Sequence, residues 1–117
     1  KPYGEYSMGI EEIHHTQKQD APSGTAITLA EDAIKDSEYT GWSLGKSLGP
    51  KQIGIEVKRI ENIPGTHSVS YDSKIDSIEI KHIAKNREGF GLGALIAAEW
   101  LFGKTGVFSM KDVLNIK

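Results

Sequence analysis

Three stretches of the chain alternate apolar and polar residues with the two-residue period of half-buried strands. Ile53, Ile55 and Val57 alternate with Gly54, Glu56 and Lys58 and run on to Arg59 and Ile60. His67, Val69 and Tyr71 alternate with Ser68, Ser70 and Asp72, and Ile78, Ile80 and His82 alternate with Glu79 and Lys81. A shorter segment carrying Met8, Ile10 and Ile13 reads as a further strand whose end presents His14 and His15. Elsewhere the period lengthens. Ala26, Ile27, Ala30, Ala33 and Ile34 share one helical face, with Glu31, Asp32 and Lys35 outward. This helix is expected to begin behind Pro22 with Ser23 as N-cap and to end near Asp36. Phe90 to Phe102 is apolar nearly all round, with Gly91, Gly93, Ala94, Ala97 and Ala98 as small packing faces, and is expected to be buried on more than one side. Ser109 and Asp112 predict a short last helix ending at Val113 and Leu114. Residues 37–52, with Gly41, Gly45, Gly49 and Pro50 around Trp42, read as a long loop, and Asn62 to Gly65 as a turn.

This order of elements predicts an α+β fold. The expected sheet is mixed, largely antiparallel and of about four strands. Helices cover one face, and the other is left for oligomerisation. Val57, Val69, Tyr71, Ile78 and Ile80 offer more apolar surface than one helix can cover, so self-association is expected, most simply as a tetramer.

The 117 residues suffice for one compact domain. A formal net charge of −2, with both signs interspersed, supplies no basic field, so neither nucleic acid nor an anionic membrane surface is an expected partner. The absence of cysteine removes disulfides, thiolate metal sites and cysteine nucleophiles, and fits a cytoplasmic protein. No apolar run reaches the roughly 18 residues of a membrane span, and Lys1-Pro2-Tyr3-Gly4 does not resemble a signal peptide. The abrupt start suggests a piece of a longer chain.

The densest chemistry lies in residues 12–26, where two imidazoles, an ammonium and Ser23-Gly24-Thr25 run from a strand end into a helix start. Ionisable side chains there can supply acid chemistry, while the first free amides of the helix favour a carboxylate or phosphate. A small acid is the substrate this suggests. Adjacent histidines on a strand point to opposite faces and do not readily share a metal ion. Gly89-Phe90-Gly91-Leu92-Gly93 lacks the spacing that cradles a pyrophosphate, so helix packing is its expected role. Ser23 lies in no nucleophile elbow and is explained by capping. Arg87 either belongs to a solvated turn or reaches the anion site; Arg59 and His67, flanking the turn at Pro64 and Gly65, are equally undecided on periodicity alone.

The run Glu12-Ile13-His14-His15, Lys18 and Asp20-Ala21-Pro22-Ser23-Gly24-Thr25-Ala26 resembles the E-x-H-H-x-x-K-x-D-A-P-S-G-T-A signature of dihydrodipicolinate reductases, also called 4-hydroxy-tetrahydrodipicolinate reductases. Further resemblance lies at Arg59, at Pro64 to His67, at Ile78 to His82 with Ala84 and Arg87, and at Gly106 to Leu114, so it covers nearly the whole chain. Many members carry Gly-Asp before the turn and Gly-Glu-His after it, where this chain has Glu61-Asn62 and Gly65-Thr66-His67. The resemblance implies the C-terminal substrate-binding and tetramer-forming part of such an enzyme over residues 1–117. The N-terminal Rossmann domain for NADPH or NADH is not among these residues, and the segment from about Leu95 onward is expected to pack on it. The implied reaction is reduction of a cyclic dicarboxylate in lysine and diaminopimelate biosynthesis, without a metal. His14 then matches the catalytic acid, Lys18 a catalytic or substrate-binding lysine, and His15, Ser23, Gly24 and Thr25, with Arg87, the positions that hold substrate carboxylates. Two other readings are a dicarboxylate-binding oligomerisation module without catalysis and a reductase of another cyclic imine acid.

Overall fold

The computed structural model describes residues 6–35, 37–46, 49 and 51–116. The patternless opening, the expected helix end at Asp36 and Pro50 of the expected loop lie outside the described residues. Five strands and a helix make up the unit of residues 1–85. They are β1 (Ser7–His14), α1 (Gly24–Lys35), β2 (Gly41–Leu44), β3 (Gln52–Arg59), β4 (Gly65–Asp72) and β5 (Ser77–Ala84). The sheet order is β2-β3-β1-β4-β5. β2, β3 and β1 run parallel, whereas β1, β4 and β5 pair antiparallel, so the sheet is mixed as the pattern implied.

The fifth strand is the main difference from the sequence reading. Gly41 to Leu44 fall within the expected loop, yet Trp42 pairs with Ile53 and Leu44 with Ile55. Four residues between glycines carry too few alternations to show a period, and it is the neighbouring β3 that draws them into the sheet. The strands at β3 and β4 are also not neighbours. β1 lies between them, and the linker 60–64 passes its end, where the Ile60 amide donates to the His14 carbonyl at 2.9 Å.

Alternation sets the faces. Met8 and Ile10 of β1 and Ile53 and Ile55 of β3 meet Ala26 and Ala30 of α1, whose small side chains let the helix lie close on the sheet. Val57, Val69 and Tyr71 pack at the edge of this core, so of the apolar residues expected to stand free only Ile78 and Ile80 do so. The opposite face carries Gly9, Glu11, Gly54, Glu56, Ser70 and Glu79 around an open groove of about 340 Å³.

Residues 86–117 form a second unit with α2 (Glu88–Leu101) and α3 (Met110–Val113). The expected cap of the last helix is present, the Ser109 amide donating to Asp112 Oδ2 at 2.7 Å. Trp100 and Phe108 meet edge to face at 5.0 Å. The expected burial of α2 is not observed, since none of its residues is buried. Within its own unit only a four-residue helix and short turns are available to cover its fourteen residues. Among the described residues no helix is long and apolar enough to cross a membrane.

Candidate active site

The alternation that sends Met8 and Ile10 inward on β1 also sends Glu12 and His14 inward, and Glu12 is 0% exposed. A buried carboxylate remains ionised only if its lone pairs are engaged and its charge is balanced. Both conditions are met. Oε1 accepts from Nη1 and Nη2 of Arg59, each at 3.2 Å, and Oε2 accepts from the Ser23 amide at 2.9 Å. Burial works to raise the Glu12 pKa, but the hydrogen bonds from Ser23 and Arg59, helped by the charge of His14, hold it below its ordinary value.

Two imidazoles share the second oxygen. His14 Nδ1 lies 3.8 Å and His67 Nε2 3.9 Å from Glu12 Oε2, and the rings meet edge to face at 5.0 Å. His67 Nε2 is within 3.3 Å of Ser23 Oγ, whereas His14 Nδ1 is buried without a hydrogen-bond partner. Burial lowers the pKa of both rings, and the attraction of Glu12 offsets this only in part. His67, Lys18 and Arg59 add to the depression at His14, and His82 and Lys18 add to it at His67. Both rings are therefore neutral in the free protein at pH 7.

The loop from His15 to Pro22 is fastened from below by the same arginine. Arg59 donates from Nη2 to the Asp20 carbonyl at 2.7 Å and from Nε to the Lys18 carbonyl at 3.4 Å, while the Lys18 amide donates to the His15 carbonyl at 3.2 Å. The Lys18 ammonium is 3.0 Å from Asp20, whose carboxylate is 61% exposed. Solvent screens such an exposed pair, so an incoming carboxylate can displace Asp20 from Lys18 at little cost. Ser23 then caps α1 as expected, its hydroxyl accepting from the Ala26 amide at 3.2 Å, and the first intrahelical bond runs from the Ile27 amide to the Ser23 carbonyl. The Gly24 and Thr25 amides precede that bond on an exposed first turn, where they suit an anion.

The structure thus brings His14 and Ser23 to Glu12, holds the Lys18 backbone beside them through Arg59, and sets Gly24 and Thr25 next on the helix start. Ser23 is buried, its amide and hydroxyl already engaged, and His15 is half-buried just beyond β1. Arg87 belongs to the second unit as N-cap of α2, its guanidinium 5.3 Å from the Phe90 ring centroid. Glu12, His14 and His67 offer donor atoms within 4.8 Å of one another, types that can ligate a transition metal. Arg59 and the Ser23 amide already occupy both carboxylate oxygens, and a guanidinium 3.2 Å away opposes a cation. Gly89, Gly91 and Gly93 lie inside α2, so they form no phosphate-binding loop.

Glu12, Arg59 and His67 were not among the site residues expected from sequence. One signal was available: Glu12 stands on the inward face of β1 in line with Met8 and Ile10, where a carboxylate requires a cation and donors.

Comparison with known proteins shows the family of the chain. The family described as "Dihydrodipicolinate reductase, C-terminus" matches residues 1–114. The 4-hydroxy-tetrahydrodipicolinate reductase of Christiangramia forsetii is 57% identical over 112 residues, which are 95% of this chain and 46% of the relative. That of Methanosarcina barkeri is 42% identical over 120 residues, 99% of this chain and 46% of the relative. The chain therefore spans about half the length of the curated relatives it matches. Among solved structures, a dipicolinate-bound dihydrodipicolinate reductase from Paenisporosarcina sp. TG-14 aligns with a TM-score of 0.60 at 25% identity, covering 95% of this chain and 41% of that one. With this match over nearly all of its residues and a fold to fit, the chain belongs to the dihydrodipicolinate reductase C-terminal family.

Proposed function

We propose that this chain is the C-terminal substrate-binding and oligomerisation domain of a cytoplasmic 4-hydroxy-tetrahydrodipicolinate reductase of lysine and diaminopimelate biosynthesis. The observation that carries the reading is the meeting of His14 and Ser23 at the buried Glu12, with Lys18 held beside them through Arg59, at the start of a helix whose first amides suit an anion. Dipicolinate in the Paenisporosarcina reductase is a planar ring with two carboxylates, the charge and size this turn suits. The Gly24 and Thr25 amides, Lys18 and His15 hold the substrate carboxylates, and Ser23 fixes the turn that presents them. The relatives' name implies a reduced nicotinamide, NADPH or NADH, as hydride donor, bound by a domain outside these residues. Residues from about Leu95 onward pack on that domain, which accounts for the uncovered apolar side chains of α2. What remains for this chain is to orient the ring and to supply a proton to the electron-rich, nitrogen-conjugated system that hydride addition leaves, the part given to His14 and Lys18. No metal is required. The sheet face opposite α1, which carries Ile83, and the exposed edge strand β5, whose Ile78 and Ile80 continue the rows of Tyr71 and Val69, join four copies into a homotetramer.

The test is made on the full-length protein. Dipicolinate titration should show saturable binding that Lys18→Ala weakens, nicotinamide oxidation should follow addition of enzymatically generated substrate, and light scattering should give a tetramer. Binding without turnover would favour the non-catalytic dicarboxylate-binding module. Turnover confined to another cyclic imine acid would favour a related reductase.

A further inference from the structure

We propose that Glu12 is the positioning residue of the site: clamped by Arg59 and the Ser23 amide, it turns His14 so that Nδ1–H faces the carboxylate and Nε2 is the nitrogen that transfers the proton. The inference rests on the reading of His14 as the acid.

Four observations carry it. Nδ1 of His14 is buried, lacks a hydrogen-bond partner and lies 3.8 Å from Glu12 Oε2, a separation that a sub-ångström shift of the ring closes to a hydrogen bond. A bare Nδ1 lone pair facing a carboxylate is repulsive, whereas Nδ1–H facing it is attractive, so the carboxylate selects the tautomer. The rival ring does not take this role, because His67 Nε2 is engaged with Ser23 Oγ at 3.3 Å. The far nitrogen of His14 lies over Gly65, where no side chain intervenes.

Glu12 also keeps its charge while His14 changes its own. Two guanidinium contacts and an amide hold it ionised, so it stabilises the imidazolium without taking the proton. The charged and titratable groups around His14 are Glu12 of β1, Arg59 of β3, His67 of β4 with His82 of β5 behind it, and Lys18 of the following loop. Glu12 is the anion among them, and a bound dicarboxylate would add two more negative charges. Substrate binding should therefore bring a proton to Nε2. In the transfer, the Nε2–H bond breaks and its electron pair stays on the ring. The proton bonds to the substrate atom carrying the pair left by hydride addition, and the ring returns to the neutral Nδ1–H form, to be recharged from water.

Full-length wild-type protein labelled with ¹⁵N-histidine tests this, a variant serving only to assign the signals. Long-range ¹H–¹⁵N correlations at alkaline pH, assigned through His14→Gln, should show a protonated Nδ1 and a bare Nε2, and the opposite tautomer overturns the proposal. Glu12→Gln should lower kcat about tenfold or more and move the alkaline limb of the kcat profile to lower pH by roughly 1 unit, because removing the anion disfavours the imidazolium. Its dipicolinate affinity should stay within about threefold of wild type, and Glu12→Asp should recover part of the rate. A limb that does not move in a folded Glu12→Gln overturns the proposal; if that variant does not fold, the wild-type tautomer decides. Loss of dipicolinate binding and of turnover in the wild type would instead refute the functional reading, and the tautomer would still report on Glu12.

Discussion

Gly65 lies against the ring of His14 so closely that a Cβ built on it would stand 3.2 Å from Nε2 and 3.3 Å from Cδ2. The cause is topological. The linker 60–64 carries the chain past the end of β1, and β4 begins with Gly65 beside the strand whose last residue is His14.

Gly65→Ala should therefore act on the acid as well as on the fold, since the φ of +159° at Gly65 is one that L side chains rarely adopt. A contact of 3.2 Å is relieved by a shift of a few tenths of an ångström, and small shifts at a reacting atom are costly in rate. The expected result is a kcat lower by about tenfold with KM little changed, beside a lowered thermal midpoint. Steady-state kinetics beside a melting curve would show it, and full activity would mean that Nε2 needs no open space.

Arg59→Met should act on the fold. It leaves the 0%-exposed Glu12 without its cation and frees the loop held at Lys18 and Asp20. Breaking one side of such a buried pair costs about 3–5 kcal/mol, whereas removing both charges is far milder. In urea denaturation the double variant Glu12→Gln, Arg59→Met should be more stable than Arg59→Met alone. The reverse order would show that Arg59 holds the loop more than it balances Glu12.

Much of this was legible in the sequence, and the illegible part has identifiable causes. Repeated alternation announced β3, β4 and β5, and the Ser23 cap fixed the start of α1. The short β2 has no period to read; its membership depends on Ile53 and Ile55 of β3, which no local pattern conveys. The insertion of β1 between β3 and β4 was equally hidden, because short linkers ordinarily join neighbours and here 60–64 pass over a strand end. The motif disclosed His14, Lys18 and Ser23, but Arg59 and His67 are joined to them only through the register Glu12↔His67 and His14↔Arg59. All-round hydrophobicity identified α2 as a helix without indicating what covers it.

Stability should depend on pH through the buried site. His14 and His67 have pKa values below their ordinary 6.5, so the unfolded chain binds more protons than the native one as pH falls through 6.5. Stability from these groups is complete above pH 6.5 and is lost as pH falls toward their native pKa values. Glu12, lowered from 4.5, adds a loss of the same sign in a more acidic window. The thermal midpoint should be level between about pH 8 and 7 and should fall from about pH 6.5 to 5. His67→Gln should flatten part of that slope. A midpoint that rises on acidification would contradict neutral buried imidazoles.

The three polar groups nearest the helix start should fail in different ways when removed from the full-length protein. His14→Gln removes an acid needed in the transition state, so kcat should fall by ~10²–10⁴ with KM little changed. Thr25→Ala leaves the first-turn amides in place, and a raised KM corresponding to about 1 kcal/mol of lost binding is expected. Lys18→Ala should damage both constants, since an ammonium beside a carboxylate both binds it and can supply a proton. The Lys18–Asp20 pair adds a control, because Asp20→Asn relieves Lys18 of its resident anion. That variant should bind dipicolinate at least as well as wild type, with its thermal midpoint little changed. If His14→Gln retains near-normal kcat, the acid is Lys18 or water. If Asp20→Asn weakens dipicolinate binding, the carboxylate positions Lys18 rather than competing for it.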